Sequence, residues 1–179
     1  MFVSTPDLLL DLPAATWLPL VIDVHTWETS VPALSSDRIR VLHVPSRRVP
    51  PIKGTAHIER VLRSLEAEGV LEYVAPESVR HEQMPGIVKS VDAVIDQILT
   101  GSYGVAATEA MAAGRLVIGG VDPQVRRLID GDVPILDTSP DGLEHLLRDI
   151  CHRPARYQTQ ALAGVDYARR THSGERSAN

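Results

Sequence analysis

Apolar and polar positions alternate in two rhythms along this chain. Residues 55–68 place Ile58, Val61, Leu62 and Leu65 at the i, i+3, i+4, i+7 spacing of an amphipathic helix, and Gly69 stops it. Leu143, Leu146, Leu147 and Ile150 repeat the stripe, with Thr138, Ser139 and Pro140 offering an N-terminal cap and a first-turn proline. Between them lie short apolar runs with strand character: RIRVLHV (38–44, ending at Pro45), VLEYVA (70–75), DAVIDQIL (92–99), RLVIGG (115–120) and VPIL (133–136). Residues 81–91 allow a short helix weakened by Pro85 and Gly86. Residues 103–113 form a helix of small side chains, 122–130 a short one, and Pro154 opens a last helix to about residue 170.

Strand and helix thus alternate about every twelve residues, which predicts βαβ units: an α/β, Rossmann-like, three-layer α/β/α fold with a mainly parallel sheet. In such folds ligands bind at the carboxyl ends of the strands. Residues 45–54, 76–81 and 97–104 fall there, and Glu109 lies one to two turns into the helix after the third. The first 36 residues do not follow the unit. They begin with one strand and a turn, continue as a proline-punctuated extended segment, and end in a linker. They read as packing against the main domain or as the end of an upstream domain. The expected organisation is a segment over 1–36, an α/β domain over 37–170 and a frayed tail over 171–179.

Composition narrows the chemistry. At 179 residues with 44% apolar side chains, the chain can bury a core as one domain. A net charge of −5 and 4% aromatic residues argue against nucleic-acid binding. The single cysteine, Cys151, excludes a disulfide framework and a cysteine metal cluster. No basic leader precedes the interrupted apolar stretches at the start, and no run is long enough to span a membrane, so the expected location is the cytoplasm. Neither a Gly-x-Ser-x-Gly elbow nor a His-Glu-x-x-His pair is present, and the histidines outside residues 81–82 are scattered. Residues 1–37 carry five acidic and no basic side chains, whereas 38–63 carry seven basic ones and only Glu59. Most of these are solvated faces, but the second stretch also allows a local anion site.

Three stretches resemble the C-terminal, donor-binding half of retaining glycosyltransferases of the GT-B type, family four. HVPSRRVPPIKGTAHIERVL (43–62) is similar to that family's Arg…Lys-Gly loop. VDAVIDQILTGSYGVAATEAMAAGRLVIGG (91–120) is similar to its Glu-x7-Glu region, the more specific of the motifs. VSTPDLLLDLPAATWLPLVID (3–23) resembles the segment leading into this half. The resemblance implies a nucleoside-diphosphate sugar as substrate, with no metal or other cofactor. It assigns Arg48 and Lys53 to the diphosphate, with Arg47 competing for the arginine's place. It assigns Glu109 to the ribose, whose vicinal hydroxyls suit a carboxylate that accepts two hydrogen bonds. Gly101, Ser102, Tyr103 and Gly104 become the loop facing donor sugar and phosphate, with free N–H groups at the helix start. Local alternatives stand beside each role: a helix-entry lysine, a solvent-facing glutamate, a simple glycine cap, a tyrosine that packs.

One position departs from the motif. Its first Glu, which contacts the transferred sugar in the family, corresponds to Gly101. Asp96 and Gln97 are nearby substitutes, although Asp96 also reads as a structural acid at a strand end. Glu77 to His81 corresponds to the base-binding loop, with Glu77 a possible contact; His81 and Glu82 read as helix-start residues. The acceptor-binding N-terminal domain of the family has no counterpart in these residues. That leaves a fragment of a larger enzyme, a natural half working with a separate acceptor-binding subunit, or a noncatalytic nucleotide-sugar-binding module. Alone, the chain is expected to transfer sugar poorly.

Overall fold

The computed structural model describes residues 1–45, 52–76, 79–129 and 132–174. Four short elements come first: β1 (Phe2–Val3), α1 (Leu8–Asp11), β2 (Thr16–Trp17) and α2 (Val24–Trp27). Then strands and helices alternate: β3 (Arg40–His43), α3 (Thr55–Ala67), β4 (Glu72–Val74), a 3-10 turn (His81–Gln83) entering α4 (Met84–Lys89), β5 (Ala93–Ile95), α5 (Val105–Ala112), β6 (Leu116–Gly119), α6 (Pro123–Leu128), β7 (Ile135–Asp137) and α7 (Leu143–His152). A second 3-10 turn (Pro154–Tyr157) leads into α8 (Gln158–His172).

Five strands form one sheet in the order β4-β3-β5-β6-β7, every pair parallel. Val41 pairs with both Tyr73 and Ala93, and Val117 with both Val94 and Ile135. Both faces are covered. Val41, Ala93, Ile95 and Ile118 point into a core with the apolar stripes of α3 and α7. Leu42, Val94 and Val117 point the other way, toward α5 and α8. The expected three-layer α/β/α sandwich is present. It also explains why the strands read as continuous apolar runs rather than half-polar alternations. No helix among the described residues is long and apolar enough to cross a membrane.

α5 is the innermost helix. Ala107, Ala110 and Met111 are fully buried, and the short side chains let its backbone approach both the sheet and α8. The approach is closest at Gly164 of α8, where a Cβ would stand 3.2 Å from the Cα of Met111. That glycine is a packing requirement in mid-helix, where its cost in backbone entropy is otherwise unfavourable.

Several details differ from the sequence reading. The strand predicted over 92–99 is regular only over Ala93–Ile95; beyond it Ile98 N–H donates to Lys53 O and Gly120 N–H to Gln97 O, so the chain bends into the loops. Thr138, Ser139 and Pro140 form the turn before α7 rather than its first turn. Gly142 is the N-cap, and its N–H donates to Ser139 Oγ. The first 36 residues pack against the main domain, one of the two alternatives. Val3, Trp17, Val24 and Trp27 join the core around α5 and α8, and β1 and β2 pair in parallel. Part of the stretch expected to be extended is helical instead, because Asp23 caps α2 by accepting the His25 N–H. α8 passes the predicted end at 170, and Thr171 and His172 are buried, where a frayed tail was expected from 171. His172 holds the first segment directly: its Nδ1–H donates to Leu20 O, and its backbone carbonyl accepts the Ile22 N–H.

The α5–α8 contact leaves no room for a side chain at residue 164. Gly164→Val is expected to destabilise the fold by about 1–3 kcal/mol through overpacking, measured by urea denaturation; wild-type stability in that variant would contradict the contact.

Candidate functional site

The sheet order creates a switch point. From β3 the chain goes to one side to build β4, then returns to the other side to build β5. The loops leaving the carboxyl ends of β3 and β5 therefore diverge, and a crevice opens between them, the usual ligand position in open parallel sheets. A cleft of about 490 Å³ lies there, with Val44, Lys53, Met84 and Gly104 in its walls. A second cavity of about 440 Å³ adjoins it, extending to Asp23, Trp27 and Glu82. His81, Val105 and Glu109 belong to both.

The β3 side of the crevice is built from the strand end upward. His43, the last residue of β3, is fully buried. Its Nδ1–H donates to Ile95 O at 2.9 Å, so its Nε2, 3.0 Å away, accepts the Thr55 hydroxyl. Burial holds the imidazole below its ordinary pKa, which fits this neutral tautomer. It joins β3, β5 and the first residue of α3. Gly54 precedes that residue with φ +81°, and a Cβ there would lie 2.9 Å from Ile98 Cγ1, so only glycine fits. Lys53 is placed immediately before this turn. Its ammonium donates to Val44 O at 3.2 Å and lies 2.9 Å from Asp96 Oδ1 as an ion pair, off the line of a well-aligned hydrogen bond. Its side chain is 14% exposed and lines the larger cleft.

The β5 side is a tightly held loop. Gly101 has φ +70° and forms a single parallel bridge to Val121; a Cβ would approach that of Asp122 to 3.2 Å. The departure from the motif thus has a local cause: a glutamate at 101 would be strained in this backbone. Gln97 Nε2–H donates to Ser102 O, and Gly104 N–H donates to Asp96 Oδ2, both at 2.8 Å. Ser102 is buried. Tyr103 was offered as a cleft residue or a packing one, and it packs. Its ring is buried, its hydroxyl is 3.0 Å from that of Tyr167, and His172 Nε2 is 3.3 Å away. Asp96 is 1% exposed with both oxygens engaged, which makes it the structural acid at the strand end rather than a group open to the cleft.

Glu109 answers to the geometry most directly. It sits on α5 among residues that are fully buried, and is itself 7% exposed. No described residue hydrogen-bonds to its carboxylate, which lines both cavities. Burial raises its pKa from 4.5 to about 7, against the opposing attraction of His81 and Lys53. A buried carboxyl that faces a cleft and has no hydrogen-bonding partner among the described residues is placed to take hydroxyl donors.

Of the candidate residues, Lys53, Gly104 and Glu109 converge on the cleft; Gly101, Ser102 and Gln97 shape the loop beneath it. Arg47, Arg48 and Glu77 lie outside the described residues. The sequence reading treated His81 as a helix-start residue. It does open the 3-10 turn, but it also walls both cavities and meets Trp27 edge to ring at 6.5 Å. Its position in the loop after β4 was the only signal available, since no spacing ties residue 81 to residue 109.

The raised pKa of Glu109 has a consequence for stability. Between about pH 4.5 and about 7 the unfolded chain has lost this proton while the folded chain retains it. Stability from this group is complete below 4.5 and falls as pH rises to about 7, on the order of 3 kcal/mol at most. Glu109→Gln is expected to remove that slope in urea denaturation measured from pH 4.5 to 8; an unchanged slope would contradict the burial of this carboxyl.

The sequence matches no family model and no curated protein. Its fold does have solved relatives. HepE of Anabaena, crystallised with UDP and glucose, superposes with a TM-score of 0.67 over 96% of this chain and 58% of HepE, at 14% identity. Sucrose-phosphate synthase of Thermosynechococcus elongatus gives 0.65 over 99% of this chain and 55% of that enzyme, at 16% identity. The C-terminal domain of the glycosyl transferase LpcC of Francisella tularensis gives 0.54 over 81% of this chain and 95% of that domain, at 13% identity. The chain spans little more than half the length of the first two. Likeness at such identities speaks to architecture, and the architecture of this chain is that of the C-terminal, Rossmann-like half of a GT-B glycosyltransferase.

Proposed function

We propose that this chain is the donor-binding half of a glycosyltransferase, taking a nucleoside-diphosphate sugar into the crevice between the β3 and β5 loops. The observation that carries the reading is Glu109, a buried carboxylate with no described hydrogen-bonding partner, in a cleft whose wall also holds Lys53. A nucleotide sugar offers both groups a complementary partner. Its ribose diol donates two hydrogen bonds to a carboxylate, and its diphosphate meets a fixed ammonium. Solved neighbours support this choice of ligand: HepE was crystallised with UDP and glucose, and the pneumococcal O-GlcNAc transferase GtfA with UDP and GlcNAc.

In this reading Lys53 stabilises the charge that accumulates on the diphosphate as the sugar departs, an electrostatic contribution that a preset cation makes without reorganising. Arg48 or Arg47 would add to it. Glu109 fixes the ribose, and α5 turns its first N–H groups toward the donor. The acceptor and the residues that bind it belong to a second domain or subunit. Gly101 favours a second reading, a nucleotide-sugar-binding module without transfer, because the family's sugar-contacting carboxylate has no equivalent at that position.

Titration calorimetry against UDP, GDP, ADP and TDP separates these ideas from a decayed site. One nucleotide is expected to bind, with affinity reduced about tenfold or more, some 1.4 kcal/mol, in Lys53→Ala and in Glu109→Ala. A folded chain that binds none of the four would overturn the proposal.

A further inference from the structure

We infer that Asp96 is a positioning residue for the phosphate end of this cleft, holding Lys53 and the start of α5 in the arrangement a diphosphate requires. The inference rests on the nucleotide-sugar reading above. It concerns a buried side chain beneath the cleft rather than one that faces it.

Asp96 directly follows β5 and is 1% exposed. Oδ1 lies 2.9 Å from Lys53 Nζ, on the loop that follows β3. Oδ2 accepts the N–H of Gly104, the residue capping α5, at 2.8 Å. The two loops on either side of the crevice are therefore joined beneath it through a single side chain. Gln97 braces the loop after β5 internally by donating to Ser102 O.

The energetics point away from a purely stabilising role. A buried ion pair gains little over well-packed apolar residues, because desolvating two charges offsets their attraction. Two apolar side chains would replace the ion pair as well, though not the acceptor of the Gly104 N–H. What they would not supply is an ammonium fixed at a cleft wall. Lys53 has three N–H bonds. Its one hydrogen bond among the described residues goes to the Val44 carbonyl, Asp96 holds it as an ion pair, and N–H capacity remains for a ligand oxygen. Without Asp96 the Lys53 ammonium keeps, among the described residues, the Val44 carbonyl as its anchor, and an anion must order it on binding.

The consequence is selective. Loss of the Asp96 charge should weaken binding of a phosphate group and spare contacts made by the nucleoside through Glu109. Asp96→Asn is the informative substitution, since its amide oxygen can still accept the Gly104 N–H. Affinities of the wild type, Asp96→Asn, Lys53→Ala and the double variant are measured for UDP against uridine and GDP against guanosine. For the pair that binds, Asp96→Asn is expected to weaken the diphosphate about tenfold and the nucleoside less than twofold. Added to Lys53→Ala, it is expected to cost nothing more, because Asp96 acts through the lysine.

A second readout needs no ligand. The chain has two lysines, Lys53 and Lys89, so lysine labelled with 15N at Nζ gives two signals. The Lys53 ammonium is expected to be protected from exchange in the wild type and exposed in Asp96→Asn, with Lys89 unchanged as the internal reference. Equal weakening of diphosphate and nucleoside, full additivity with Lys53→Ala, or an unprotected Lys53 ammonium in the wild type would each overturn the inference while leaving nucleotide binding intact. Absence of binding to every nucleotide and nucleoside by the wild type would remove the site reading and this inference with it.

Discussion

The close seating of α5 between the sheet and α8 is the constraint on which the rest depends. Alanines on its inner faces and Gly164 across from it allow backbones to approach where ordinary side chains would separate them. One product of that closeness is the environment of Glu109. A carboxyl on an ordinary surface helix would be solvated and ionised; here the surrounding protein removes its water and raises its pKa to about 7. The same packing brings the loop before α5 down onto Asp96, so helix, loop and strand end are set together.

A second constraint comes from topology. Between β3 and β5 the chain leaves neighbouring strands in opposite directions, and Lys53 and Glu109 both line the crevice there. His43 is neutral and satisfied, a structural joint between two strand ends and α3. Lys53 is charged and only partly enclosed. The contrast between these two basic residues at one strand end separates what holds the crevice from what faces it. Gly101 belongs to the first group: its left-handed backbone serves the bridge to Val121, and a side chain there would be strained by the turn itself.

Most of the architecture was legible in the sequence. The stripes of α3 and α7 and the apolar strands are local patterns, and local patterns survive folding when the core they predict forms. The place of Glu109 was legible too, through its setting among alanines and through the motif. What the sequence could not convey was pairing at a distance. Lys53 and Asp96 are 43 positions apart, and nothing in either neighbourhood announces the other. Tyr103 turned inward because Tyr167 and His172, more than sixty residues later, supply hydroxyl and imidazole partners. The end of α8 was misplaced for a similar reason: Thr171 and His172 look like a polar tail until the first segment packs over them. Pro140 illustrates the opposite error, a strong local signal that was shifted by a turn when Gly142 took the cap.

The proposed site for a nucleoside diphosphate is the crevice between the β3 and β5 loops. A crystal structure of the chain with the tightest-binding nucleotide tests it most directly. The account predicts a phosphate oxygen within hydrogen-bonding distance of Lys53 Nζ and both ribose hydroxyls on the Glu109 carboxylate. A nucleotide seated elsewhere on the molecule, with Lys53 still facing Asp96 and Glu109 untouched, would contradict it.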